Sequence, residues 1–101
     1  MEVPGGDNHK FKVCLYEFIG TSFLVYAVLA SGGNNIAVAL TLLTLIIVSG
    51  PVSGAHFNPA VSMGVWVMNK KWRHDLPLFF MIMLSEFAGG LLGVFWVWLV
   101  L

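Results

Sequence analysis

The chain has 101 residues and a formal net charge of zero; 58% of the residues are hydrophobic and 10% are charged. Soluble domains carry about 25% charged residues, so this composition favours a lipid-facing surface and excludes an ordinary soluble protein. The length allows one domain, the balanced charge offers no basic surface for nucleic acid, and the single cysteine, Cys14, cannot form an internal disulfide.

The first half of the chain contains two apolar runs separated by a short turn. Residues 1–12 are predicted to form a polar tail. Residues 13–30 are long enough for about 27 Å of helix, close to the bilayer hydrocarbon thickness of about 30 Å. The uncharged residues 31–35 form a turn. Residues 36–50 predict a second, shorter span of about 22 Å.

Residues 50–59 interrupt the helical pattern. This segment contains two prolines and two glycines within ten residues, which is incompatible with one continuous helix. Asn58 and Pro59 then have the chemistry of a helix start, because Asn is a strong N-cap and Pro is well tolerated at the first helical position. The sequence therefore predicts a short helix that begins after Asn58 and ends near residue 68.

The basic residues indicate the orientation of the chain. Residues 69–75 are polar and basic, and residues 76–101 form a third apolar run of 26 residues. All five basic residues lie in the segments 1–12 and 69–75, which three spans would place on the same side of the membrane. The positive-inside rule then predicts that both segments, including the N-terminus, are cytoplasmic.

Residues 51–68 begin and end on the same side in this topology, so we predict that they dip into the membrane and return. Non-helical backbone at membrane depth is typical of a buried or water-lined element such as a pore. The short helix would present its positive dipole end near the bilayer midplane and disfavour cations and protons. The Asn58 amide could donate a hydrogen bond to a permeant. Gly54, Ala55 and His56 are expected to be extended, with carbonyl groups that line a file of water.

Residues 53–62, SGAHFNPAVS, resemble the first Asn-Pro-Ala loop of the aquaporin and aquaglyceroporin family, the major intrinsic proteins. Residues 17–21, EFIGT, are similar to the motif of the family's first helix. The third apolar run resembles the family's third helix at four positions, Glu86, Gly89, Gly90 and Gly93. The residues that are usual in the family at these positions are Gln, Gly, Ala and Gly. The resemblance identifies residues 13–101 as an N-terminal repeat of that family.

The resemblance implies an all-α membrane protein with three transmembrane helices and one re-entrant half-helix, which is one repeat of a six-helix inverted-repeat fold. It implies a passive channel for water or small neutral solutes such as glycerol, with no enzymatic activity, cofactor or bound metal, and a tetrameric assembly. The pore-lining residues would be Asn58, Pro59, Ala60, Gly54, Ala55 and His56. Val38 lies about where the family's constriction forms, and Glu17 and Glu86 would support the loop.

Two departures from the family pattern affect this interpretation. The second Asn-Pro-Ala motif of the family and the arginine that follows it are absent from the sequence, so we expect a half-channel whose pore needs a second half or another copy. Because both basic segments face one side, two copies in opposite orientations are disfavoured, and little permeability is expected from the chain alone. Glu86 also replaces the usual Gln and places a second carboxyl group in the membrane.

Glu17 leaves other functions open, because a carboxylate at membrane depth costs about 2.5–3.5 kcal/mol and needs a partner or a task. In a channel it would accept hydrogen bonds from the loop, whereas in a small multidrug transporter it would couple transport to protons. The interruption at residues 50–59 and the one-sided basic charge oppose the transporter, which has four plain spans. The remaining alternative is a non-conducting truncated paralogue that modulates a full-length channel.

Overall fold

The computed structural model describes residues 6–101 and consists of four α-helices over that range. Helix α1 is Gly6–Ala30, and helix α2 is Asn35–Ser53. A short helix α3, Pro59–Asn69, precedes the long helix α4, Trp72–Val100. No strand occurs in this part of the chain, and the prediction of an all-α fold is confirmed.

Three of these helices are long and apolar enough to cross a membrane, as predicted: Asn8–Ala30, Asn35–Ser53 and Trp72–Val100. Most of their large hydrophobic side chains are exposed. Within residues 6–101, the buried hydrophobic side chains are Val13, Phe57, Leu78, Phe79 and Ile82. So apolar a surface is suited to contact with lipid or with a further protein subunit.

Side-chain caps explain where α2 and α3 begin. The Asn34 side chain accepts a hydrogen bond from the Ala37 amide at 2.9 Å and caps α2. Asn58 caps α3 in the same way, since its side-chain oxygen accepts from the Ala60 amide at 2.8 Å. Pro59 occupies the first position of α3. The helix start predicted at Asn58 is therefore confirmed.

The outer boundaries of the long helices differ from the predicted ones, because apolar residues mark the part of a helix that lies in lipid and not its full length. Helix α1 begins at Gly6 and so includes part of the predicted tail at residues 1–12, of which residues 1–5 lie outside the described residues. The lysines of this segment are compatible with a helix, since Lys has good helix propensity. Helix α4 likewise begins at Trp72, before the predicted start at residue 76.

Helix α2 continues past its predicted end at Gly50 and includes Pro51. Proline removes one backbone hydrogen bond and disturbs the preceding turn, but its φ angle is compatible with a helix. The helix ends two residues later, at Ser53. The interruption predicted for residues 50–59 is therefore confined to residues 54–58.

Helices α1 and α4 pack in parallel along two glycines of α4. A Cβ atom added at Gly89 would overlap the Phe18 carbonyl group, and one added at Gly93 would lie 2.6 Å from the Ser22 carbonyl oxygen. The second contact lies four residues after the first on both helices, so the two helices run in the same direction. Small residues at such contacts let membrane helices approach closely.

Helix α3 packs in the opposite direction against the first half of α4. Ser62 contacts Glu86, whereas Trp66, one turn later, stacks on Phe79 with the ring centroids 4.8 Å apart. Helix α3 therefore returns towards the end of the molecule at which α4 begins. This is the direction expected of a re-entrant segment.

Replacing Gly93 with alanine is expected to destabilise the contact between α1 and α4. The added methyl group would lie 2.6 Å from the Ser22 carbonyl oxygen and 2.9 Å from the Val25 Cβ atom. Overpacking of this kind costs about 1–3 kcal/mol, and the free energy of unfolding in detergent micelles should fall by that amount.

Gly64→Ala is the matched control for this substitution. A Cβ atom at Gly64 meets no described atom within 4 Å, and alanine is favoured over glycine in a helix by about 1 kcal/mol. The control should therefore unfold no more easily than the parent chain. An equal loss of stability in both variants would contradict the glycine contacts described for α1 and α4.

Candidate functional site

The loop between α2 and α3, residues 54–58, lies beside the middle of two membrane-spanning helices. Glu17 is eleven residues from the start of α1, and Glu86 is fourteen residues from either end of α4. Both carboxyl groups contact the loop backbone. The loop is thus about 21 Å from each end of α4 along the helix axis, and α3 begins at mid-span.

Glu17 holds the loop from α1 through its backbone amides. Its Oε1 atom accepts a hydrogen bond from the Phe57 N–H group at 2.8 Å, and its Oε2 atom accepts one from the His56 N–H group at 3.2 Å. The Ser53 hydroxyl donates to Oε2 at 2.6 Å. The Glu17 side chain is completely buried. Hydrogen bonds from the loop backbone are those that the resemblance implied for this residue.

Glu86 holds the next part of the loop from α4. Its Oε2 atom accepts a hydrogen bond from the Asn58 N–H group at 3.2 Å. The Ser62 hydroxyl lies 3.0 Å and 2.9 Å from the two carboxyl oxygens of Glu86, and 2.8 Å from the His56 Nδ1 atom. Glu86 and Ser62 are both buried. A closed polar cluster therefore joins the loop, α3 and α4.

Phe57 attaches the loop to α1 by packing. Its side chain is 3% exposed, and its ring lies against Gly20, where an added Cβ atom would overlap the ring. Gly20 follows Glu17 by three residues, so the two positions share one face of α1. The same face of α1 thus provides both a polar and an apolar attachment for the loop.

The loop backbone is left-handed at Gly54 and Ala55, which corrects the prediction of an extended backbone at these two residues. Gly54 and Ala55 have φ angles of 84° and 54°, and Phe57 has a φ angle of 53°. This left-handed region is uncommon for residues other than glycine and costs about 1–2 kcal/mol per residue. The prediction failed because the tight turn depends on hydrogen bonds to Glu17. This residue lies on α1, outside the local sequence of the loop.

The four amide groups of residues 55–58 all donate hydrogen bonds within the protein. The Ala55 N–H group donates to the Ser53 hydroxyl at 3.1 Å, and the other three donate to the two carboxyl groups. Within the described part of the chain, no donor reaches the carbonyl groups of Gly54, Ala55 or His56. The loop therefore presents unpaired acceptors and no unpaired backbone donor.

Asn58 uses its side-chain oxygen as a helix cap and keeps its side-chain nitrogen available. The oxygen accepts from the Ala60 amide. The side chain is exposed, and its Nδ2 group has no acceptor among the residues that the structure describes. Pro59 and Ala60, which form the first turn of α3, are partly exposed and exposed beside it. A hydrogen-bond donor thus stands at the N-terminal end of α3, next to the unpaired carbonyl groups.

The structure brings together eight of the nine predicted site residues and leaves one apart. The six predicted pore-lining residues, 54–56 and 58–60, lie in the loop and the start of α3 on either side of Phe57, with Glu17 and Glu86 beside them. Val38 lies in the first turn of α2. It is about 22 Å along the helix axis from Ser53 and belongs to the other half of the spanning region.

Three groups of this site have the spacing of metal ligands. Oxygen atoms of Glu17 and Glu86 and a ring nitrogen of His56 lie within 4.8 Å of one another, although they are far apart in sequence. All four carboxyl oxygens already accept hydrogen bonds from the loop or from serine hydroxyls. The cluster is therefore described completely as a hydrogen-bonded support for the loop, and we assign no metal to it.

Ser53, Phe57 and Ser62 also contribute to the site, although they are not among the predicted site residues. The two serines supply hydroxyl groups to buried carboxyl groups, and Phe57 fills the space at Gly20. A signal was available for the serines, because small polar residues beside an interruption in an apolar segment are candidates for pairing with a carboxyl group in the membrane. No local signal distinguishes Phe57 from a lipid-facing phenylalanine.

Replacing Glu17 with glutamine is expected to loosen the loop at nearly constant side-chain size. The glutamine nitrogen cannot accept a hydrogen bond, so Phe57 or His56 loses the partner of its buried N–H group. An unsatisfied buried donor costs about 1–3 kcal/mol, and the free energy of unfolding should fall by that amount. Amide hydrogen exchange at residues 56 and 57 should also become faster.

Thr44→Ala is the control for Glu17→Gln. The exposed Thr44 hydroxyl donates to the Leu40 carbonyl of its own helix at 2.8 Å, away from the loop. Its removal should change the free energy of unfolding by less than about 0.5 kcal/mol and leave loop exchange unchanged. If exchange at residues 56 and 57 is the same in both variants, the Glu17 carboxylate does not hold the loop.

Comparison with known proteins agrees with this geometry. Residues 7–100 match the family model of the major intrinsic protein family. The aquaglyceroporin AqpS of Rhizobium meliloti strain 1021 is 34% identical in an alignment that covers 79% of this chain and 40% of that protein. Aquaporin Z of Flavobacterium johnsoniae is 44% identical over 54% of this chain and 87% of its own length. Nodulin-26 of Glycine max is 39% identical over 61% of this chain and 25% of its own length.

No solved structure matches the chain significantly. The chain spans only part of two of these relatives, with 40% of the Rhizobium protein and 25% of the Glycine max protein covered. The family model nevertheless covers almost every described residue. The chain therefore belongs to the major intrinsic protein family, whose members are membrane channels and not enzymes.

Proposed function

We propose that the chain forms one half of a passive channel for water and small neutral solutes such as glycerol. The observation that carries this proposal is the loop at mid-span, where unpaired carbonyl groups adjoin the Asn58 amide donor at the start of α3. A pore lined by fixed donors and acceptors selects permeants by their hydrogen bonds and size. The site thus suits a molecule that both donates and accepts hydrogen bonds.

Charge at the site favours neutral permeants over cations. The N-terminal end of α3 carries about half a positive elementary charge and points into the loop region. The carboxyl groups of Glu17 and Glu86 are buried, and their oxygens accept hydrogen bonds from loop amides and serines. They offer no exposed anionic surface that would attract a cation to the loop.

The names of two relatives fit this proposal, since one is an aquaglyceroporin and another is an aquaporin. Water and glycerol are accordingly the two permeants to test first. We propose that Val38, in the other half of the spanning region, contributes one wall of a constriction. The carbonyl groups of Gly54, Ala55 and His56 would line the pore. Pro59 and Ala60, in the first turn of α3, would form the part of the wall next to Asn58.

A single half-helix builds one side of a pore, so the proposed channel needs a second half or another copy of the chain. The exposed hydrophobic side chains of the three spans support such an association. Complete pores would assemble as tetramers, as in the family. Because α1 and α4 are parallel, their basic N-terminal ends lie at the same end of the molecule, and we place this end in the cytoplasm.

The contacts of Glu17 oppose the alternative of a proton-coupled multidrug transporter. Both carboxyl oxygens accept hydrogen bonds from the loop segment, and the side chain is completely buried. A transported cation would have to displace these bonds. The described residues also contain three candidate spans and a short helix between the second and the third, rather than four plain spans.

Replacing Asn58 with aspartate is expected to lower permeability while retaining the helix cap. Aspartate keeps the oxygen that accepts from the Ala60 amide but lacks the N–H donor. Loss of one hydrogen bond to the permeant, about 1.4 kcal/mol, corresponds to a roughly tenfold decrease. Stopped-flow light scattering of proteoliposomes measures the permeability to water and to glycerol.

The chain should be reconstituted alone and together with the part of the Rhizobium aquaglyceroporin that it leaves uncovered. Asn34→Asp is the matched control, because Asn34 caps α2 through an equivalent contact with the Ala37 amide at 2.9 Å. We expect permeability near the lipid background for the chain alone and above it for the combination. The decrease should occur with Asn58→Asp and not with Asn34→Asp.

Two results would contradict the proposed function. Equal permeability of the two aspartate variants would show that the Asn58 donor does not contact the permeant. If the combination stays at the lipid background while the chain changes the permeability of a complete relative, the chain is a modulator and not part of a conducting pore.

A further inference from the structure

Two buried carboxyl groups face each other beneath the loop. Glu17 is 0% and Glu86 1% exposed, and their nearest oxygens lie within 4.8 Å of each other. No lysine or arginine among the described residues forms a salt bridge with either group. Two like charges this close in a buried site cannot both remain ionised without a compensating cation. The pair therefore retains one proton.

The other titratable groups near the pair are few. Cys14 precedes Glu17 by one turn of α1, and His56 lies in the loop. Neither α2 nor α3 contains a titratable side chain. The His56 ring contacts the pair through the Ser62 hydroxyl, with 2.8 Å between Nδ1 and Oγ. The candidate positions for the proton are therefore the two carboxyl groups and the imidazole ring.

Hydrogen-bond donors distinguish the two carboxyl groups. Glu17 accepts from the Phe57 and His56 amides and from the Ser53 hydroxyl. The two backbone amides can only donate, and a carboxyl group that accepts two or three such bonds is held in its ionised form. Glu17 therefore has the contacts of an ionised carboxyl group.

Glu86 has a different set of partners. It accepts from one backbone amide, that of Asn58, at its Oε2 atom. Its other contact is the Ser62 hydroxyl, which can accept as well as donate. A proton on Glu86 therefore has an acceptor in reach at the Ser62 oxygen, 3.0 Å away, and the Glu17 carboxylate lies within 4.8 Å.

We propose that Glu86 is a protonated positioning residue at neutral pH and that Glu17 is ionised, so that an acid–carboxylate pair holds the loop between α1 and α4. This proposal rests on the proposed function, in which the loop forms one side of the pore, and it adds how the loop is held in place. The resemblance places Gln at the position of Glu86, and an amide donates at every pH. A carboxyl group donates only while it is protonated, so the support of this loop is sensitive to pH.

The test is infrared spectroscopy of the chain in lipid nanodiscs, with glutamate labelled by carbon-13 at the side-chain carboxyl carbon. The chain has only three glutamates, Glu2, Glu17 and Glu86. At pH 7 we expect the C=O stretching band of a protonated carboxylic acid, displaced by the label and diminishing as the pH is raised. The label separates this band from any aspartic acid.

Two isosteric variants assign the band. Glu86→Gln should abolish it, whereas Glu17→Gln should retain it but let it diminish at a lower pH, because burial still disfavours the ionised form of Glu86 while the repulsion from Glu17 is gone. Nitrogen-15 chemical shifts of His56 provide a measurement that needs no substitution, and they should show a neutral imidazole ring at pH 7.

Three outcomes would overturn the assignment. These are the absence of a labelled acid band at pH 7, a band lost in Glu17→Gln and kept in Glu86→Gln, and an imidazolium ring at His56 with both carboxylates ionised. None of these measurements requires transport. A failed permeability experiment would therefore contradict the proposed function while leaving the protonated state of Glu86 intact.

Discussion

Every backbone amide that the loop presents at mid-span has a partner inside the protein, and the rest of the site depends on this constraint. In a bilayer an unpaired N–H group has no water to bind and costs several kcal/mol. Glu17 and Glu86 meet this requirement from two different helices and accept the hydrogen bonds of residues 56–58. The carbonyl groups of residues 54–56 have no donor among the described residues, so the loop presents unpaired acceptors but no unpaired amide.

The same hydrogen bonds stabilise a backbone that would be unfavourable in isolation. Ala55 and Phe57 are left-handed, and the resulting turns direct successive amides to acceptors on α1 and α4. The close approach of these helices at Gly89 and Gly93 brings the two carboxyl groups near enough to bind the amides of three consecutive loop residues, 56–58. Helix packing and polar contacts are therefore interdependent, because a wider helix contact would separate the acceptors.

Local patterns in the sequence predicted the three spans and the start of α3, since hydropathy and capping depend on neighbouring residues. The partners of Glu17 followed from the family resemblance rather than from the residues alone. The left-handed conformation of Ala55 was not predictable, because alanine has no preference for it and the stabilising carboxylate lies about forty residues earlier in the chain. The pore-lining roles of residues 54–56 and 58–60 stay predictions until permeability is measured.

The position of Glu86 in the sequence also determines when the loop contacts can form during synthesis of the chain. Glu86 follows Asn58 by 28 residues, in a helix that leaves the ribosome after the other three. When α1, α2 and α3 have emerged, Glu17 can already bind its part of the loop, but the Asn58 amide still lacks its acceptor. The segment can reach its final shape only after α4 has inserted beside α1. A nascent chain stalled before α4 would therefore contain all of the Asn-Pro-Ala segment and still lack the finished loop.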